Sequence, residues 1–193
     1  MGPPGVIGNL LLQDDRNLKP DVLSAADTNG RLVGMISVED YLYFVDTALD
    51  GMVEIVTELG DDLANRRLDV PGANSPYAIL THCLGVMEYW AGHVVAGRTV
   101  QRDRPAEFLA RGPVADLVQR VRVAQQQLRS DLAGLEPTAP PRGTSGLHDL
   151  ESPIARTQGG ALEHVYEELA QHRGQMEVTR DLLLARSQGA SGK

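Results

Sequence analysis

Glu168 and His172 stand four residues apart in "EELAQHRGQM" (167–176), within a segment whose apolar residues Val165, Leu169, Met176 and Leu183 recur at helical spacing. Positions i and i+4 of a helix differ by roughly 40° in direction and ~6 Å along the axis. A carboxylate and an imidazole at these positions can therefore reach one point beside the apolar stripe. The plain alternative is an ordinary Glu–His pair, worth about 0.2–0.5 kcal/mol at that spacing. His82 lies next to the Ile79/Cys83/Val86 stripe of a second helical segment and offers another imidazole. A lone histidine in such a place is commonly a hydrogen-bonded core residue. Combined with Glu-x-x-x-His from a facing helix, it makes a three-donor site of the kind that bundle interiors host. Two imidazoles and one carboxylate suit Zn²⁺, with Ni²⁺ or Fe²⁺ as alternatives, and leave a coordination position for water or substrate.

The other histidines compete for these roles. His164 shares the Glu168/His172 stripe but lies ~12 Å along the axis from His172, so one ion cannot bind both. Pairing of His164 with Glu168 stays open on spacing alone. His93 falls eleven residues after His82, three turns away, and reads as a core or rim residue; His148 sits in a long loop. Cys83 follows His82 directly and points ~100° away from it, which suits a small core residue. Tyr89 and Trp90 read as packing residues. Arg173 or Gln175, following His172 on the same helix, is expected to orient Glu168 or a neighbouring carbonyl.

Four helices are needed to position these groups. Residues 1–36, rich in Gly, Pro, Asn and Asp, read as an irregular arm. Ser37 caps a first helix, with Leu42, Val45, Leu49, Val53 and Val56 on its apolar face, and Gly60 is expected to end it. Ser75-Pro76 starts a second helix that runs to Gly97. The third covers 113–135, with Val114, Leu117, Val121, Gln125 and Leu128 on one side. The fourth spans 161–186, acids first and arginines last, as the helix dipole favours; residues 187–193 read as a flexible tail. No segment shows strand periodicity. The expected architecture is an all-α four-helix bundle over 37–186 with long crossover connections, the final one through the 136–160 loop.

Composition narrows the function classes. With 193 residues, 18 basic against 26 acidic and a formal charge of −8, the chain has no general electrostatic support for nucleic acid. No apolar run approaches the ~20 residues that span a bilayer. The N-terminus lacks the basic start of a secretory signal, and one cysteine excludes an intramolecular disulfide or a cysteine-based zinc cluster. A cytoplasmic protein is expected, and a homodimer is the commonest assembly for such a chain. Only Lys19 and Lys193 are lysines, a bias that with abundant Ala, Gly and Val suggests a GC-rich bacterial genome.

Two segments carry a resemblance. "NSPYAILTHCLGVMEYWAGHVVAGR" and "EHVYEELAQHRGQMEVTRDLL" resemble the helix-two and helix-four signatures of the DinB-like superfamily. That family's last motif usually holds a metal-binding histidine, three spacers, then a second histidine followed by Arg-Gly-Gln. Here the second position is His172 and the first is Glu168, not histidine. The Glu-x-x-x-His form is similar to the mycothiol-dependent maleylpyruvate isomerase and mycothiol S-transferase branch, whose zinc is held by two histidines and a glutamate. The resemblance implies ligands His82, Glu168 and His172, and selects His172 over His164. It further implies a metal-dependent thiol S-transferase using mycothiol or a similar small thiol on a small electrophile. A non-enzymatic, stress-associated metal-binding bundle and a metal-dependent hydrolase are the rival functions.

Overall fold

A computed structural model describes residues 36–146 and 152–191, with side chains to 189. The expected arm before Ile36 and the loop residue His148 lie outside the described residues. The described chain is helical, in the order α1 (Val38–Ala64), α2 (Pro76–Met87), a π-helical continuation of α2 (Glu88–Val95), α3 (Arg104–Glu107), α4 (Val114–Asp131), α5 (Pro153–Arg156) and α6 (Gln158–Ser191). There is no strand among the described residues, and no helix there is long and apolar enough to cross a membrane.

The two serine caps form as their sequences imply. Ser37 accepts from the Asp40 backbone while the Asp40 carboxylate reaches back to the Ser37 N–H, a reciprocal capping box. Ser75 accepts from Ala78 N, with Pro76 in the first turn where its missing N–H costs nothing. The apolar stripes are buried: Val45, Leu49 and Val56 of α1, Ile79, Cys83 and Val86 of α2, Leu117, Val121 and Leu128 of α4, and Val165, Leu169, Met176 and Leu183 of α6. They join in one hydrophobic core.

Gly60 interrupts α1 where the sequence places the helix end. Its backbone (φ 62°, ψ 179°) kinks the helix, which resumes to Ala64, in a region open almost solely to glycine. The kink brings Asp61 and Asn65 to the start of α4. Pro113, at the N-cap of α4, has no side-chain acceptor; Asp61 Oδ1 accepts from Val114 N instead, and Asn65 bridges both polar groups of the Gly112 backbone. The helix starts where another helix supplies its cap.

Contacts fix the directions. Tyr41 donates to Leu162 O near the starts of α1 and α6, and Arg180 meets Glu58 further along both, so these helices run parallel. Gln125 reaches Asp46 while Val114 reaches Asp61, so α4 is antiparallel to α1. His82 faces His172 and Trp90 faces His164, so α2 is antiparallel to α6. Consequently α2 and α4 run the same way, and the long crossover is the 96–113 segment carrying α3. Of the segment expected to cross, the described residues 132–146 and 152–157 lie at one end, where Arg142 and Gly143 donate to Val94 O and Gln158 donates to Ala139 O. The last helix begins three residues before the expected 161 and continues five beyond 186, so 187–191 are helical rather than a tail.

Candidate metal centre

The α2–α6 interface brings His82, Glu168 and His172 together. Glu168 Oε2 lies 3.3 Å from His172 Nε2 and 3.5 Å from His82 Nε2. The two imidazoles meet edge to face, centroids 5.1 Å apart. One donor atom from each residue lies within 4.8 Å of the other two, and among the described residues no other group of three His, Cys, Asp or Glu side chains converges in this way. Two donors about 2.0–2.1 Å from a tetrahedral ion stand about 3.3–3.4 Å apart; the His172 nitrogen matches this spacing to the Glu168 oxygen and the His82 nitrogen, at 3.5 Å, is close to it. The donor set therefore fits a borderline cation such as Zn²⁺.

Burial is graded across the cluster. The His82 side chain is 3 % exposed, Glu168 29 % and His172 23 %. The α2 donor is the buried member of the cluster, and the two α6 donors are its solvent-accessible side. His164 takes the opposite side of Glu168, its Nε2 3.7 Å from Oε1, with its ring against Trp90 and its Nδ1 near Glu167. It is a neighbour of the cluster and not a member. His93 is turned away, with Nδ1 2.7 Å from Arg98 O. Cys83 is buried in the core, where burial and the Glu168 and Glu107 carboxylates push its thiol far above the ordinary range.

The residues after His172 divide between two tasks. Gln175 Oε1 lies 2.8 Å from His172 Nδ1, so this side chain orients the histidine, not Glu168 as expected. Arg173 leaves the site altogether: it donates to Thr47 O on α1 and to Glu177. It lies across Gly51, where a methyl group would sit 2.6 Å from its Nε.

Sequence reasoning missed the residues behind His82. Glu107, at the end of α3, is buried, and its Oε2 lies 2.8 Å from His82 Nδ1. Arg102 grips both oxygens of that carboxylate, Nε to Oε1 at 2.7 Å and Nη2 to Oε2 at 3.0 Å. Phe108 stacks on the His82 ring with centroids 4.5 Å apart, under the Arg104 guanidinium. The available signals were Asp103-Arg104-Pro105, a cap and proline that start a helical turn, and Gly85, three residues after His82. A cleft of about 360 Å³ between α2 and α4, lined by Leu84, Met87, Arg120 and Leu128, includes none of the three donors.

The fold and site define a helical bundle with a three-donor, solvent-facing cluster between its second and last long helices. The model of the DinB superfamily matches residues 45–176, and the chain belongs to that superfamily. A comparison with curated proteins finds no match.

Proposed function

We propose that the protein is a metal-dependent thiol S-transferase, acting with mycothiol or a similar small thiol on a small electrophile. The observation that carries this reading is the donor set itself: two imidazoles and one carboxylate converge, and two of the three donors are partly exposed to solvent. Three protein donors with an open position are the catalytic pattern of zinc, whereas a structural ion takes four. The Glu-x-x-x-His form, shared with the mycothiol-using branch, adds the thiol.

His82, Glu168 and His172 would hold the ion, zinc first, nickel or iron as alternatives. With Glu168 the sole carboxylate among them, a dication keeps a formal charge of +1, which favours an anionic sulfur over a neutral oxygen. A bound ion supplies one piece of chemistry, lowering the thiol pKa so that the sulfur is a thiolate at neutral pH. The half-exposed Glu168 and His172 border the space in which thiol and electrophile meet. In conjugation a C–S bond forms as the leaving group departs with its electron pair. In isomerisation the thiolate adds to a double bond and is expelled after rotation, so the thiol is regenerated.

Calorimetric titration of zinc-loaded and metal-free protein with the thiol and with its hydroxyl analogue tests this. Binding that needs both the sulfur and the metal is expected. Equal binding of the hydroxyl analogue would contradict it.

A further inference from the structure

We infer that the α2–α4 crossover is a clamp that sets the tautomer and ring orientation of His82, with Glu107 as its positioning residue. The inference rests on the metal-centre reading above.

Glu107 reaches His82 from α3, a single turn capped by Asp103. Its carboxylate is held by Arg102 through two N–H···O contacts, in which both of its oxygens accept. The proton between Glu107 Oε2 and His82 Nδ1 therefore belongs to the imidazole. That tautomer leaves the Nε2 lone pair free on the side facing Glu168 and His172. Arg102 Nη2, 3.4 Å from Nδ1, is then a packing contact between two N–H groups. Phe108, the next residue along, lies on the ring face at an interplanar angle of 27°. Consecutive residues of one segment thus fix the imidazole's edge and its plane.

Gly85 makes room for the clamp. It lies one turn after His82 on the same face of α2, and a methyl group there would overlap the Glu107 carboxylate. The space is occupied by side-chain oxygens rather than backbone, so any larger residue displaces the group that orients His82. A carboxylate on the far nitrogen of a metal-ligating histidine typically accounts for 10–100-fold in metal affinity.

The test is the Zn²⁺ dissociation constant of the full chain, measured by competition with a chromophoric chelator. The variants are Glu107→Gln, Glu107→Ala, Gly85→Ala and the Gly85→Ala/Glu107→Ala double variant. Urea unfolding of the metal-free forms identifies the folded fraction, since leaving Arg102 without its partner lowers stability whatever the role of Glu107. The Gln variant keeps the shape while losing the charge and one acceptor oxygen, so it serves even if the alanine variants do not fold. For folded protein we expect about 10–100-fold weaker binding in Glu107→Gln and a comparable loss in Gly85→Ala. The double variant should bind no more weakly than Glu107→Ala alone. Zn²⁺ affinity within twofold of the parent in Glu107→Gln, or fully additive losses in the double variant, would overturn the clamp and leave the metal centre standing. A parent protein that binds no Zn²⁺, Ni²⁺ or Fe²⁺ would remove the centre and the clamp together.

Discussion

Glu168 Oε2 lies 3.3 Å from His172 Nε2, one turn apart on α6, and the same oxygen is 3.5 Å from His82 Nε2 on α2. One carboxylate oxygen thus joins two helices that run in opposite directions. The cluster lies between α2 and α6 but is not needed to bury the core, which is continuous through all four long helices.

Metal removal should therefore lower stability without unfolding the chain. Ligand at 100 times its dissociation constant stabilises by about 2.7 kcal/mol. For a domain of this size that corresponds to a Tm lower by roughly 5–10 °C after chelation. Calorimetric scans with and without chelator check it; loss of the cooperative transition in the metal-free protein would contradict it.

The Arg and Gln of "HRGQ" should separate cleanly. Arg173→Ala removes contacts to Thr47 O and Glu177, at a cost of about 0.5–1.5 kcal/mol in urea unfolding, with metal affinity unchanged. Gln175→Ala removes the acceptor on His172 Nδ1 and should weaken metal binding by about 10-fold, with little change in stability. The opposite pattern would mean that their contacts have been misassigned.

How much of this was legible depends on whether the cause was local. The Ser37 and Ser75-Pro76 caps, the apolar stripes and the Glu168/His172 spacing are set within one turn of the chain, and the structure has them as read. The crossover is different. Nothing near 96–113 or 136–160 states which segment returns along the bundle, because that follows from which helices pack together. Glu107 is similar: in "RPAEFL" it reads as one more surface acid, and its burial depends on His82 and Gly85, more than twenty residues away. Gly60 shows a third limit, since a glycine that stops a helix and one that kinks it look alike until Asp61 and Asn65 find the start of α4.

Gly60→Ala tests that last point. The φ of 62° with ψ of 179° is strained for any side chain, by about 1–3 kcal/mol, and relaxation would pull Asp61 off Val114 N. A fall of that size in unfolding free energy is expected. An unchanged or raised stability, as for a simple helix glycine, would exclude the kink.

Cys83 should be inert in the native protein. Burial and two nearby carboxylates raise its pKa far above that of an ordinary thiol, so the thiolate is scarce at pH 8 and the sulfur is inaccessible. The raised folded-state value means that its contribution to stability is complete below the unfolded thiol's pKa and is lost as pH rises above it. Alkylation should be slow in buffer and fast in denaturant. Rapid native-state alkylation would place Cys83 at the surface, contrary to its position in the core.

The most direct test of the central claim is the zinc content of purified protein, measured by mass spectrometry of the metal alongside that of the His172→Ala variant. About one zinc per chain is expected in the parent, with nickel or iron in its place if that ion occupies the site. His172→Ala should remain folded and lose the ion. Full metal retention in folded His172→Ala would contradict the assignment of His82, Glu168 and His172 as the metal centre.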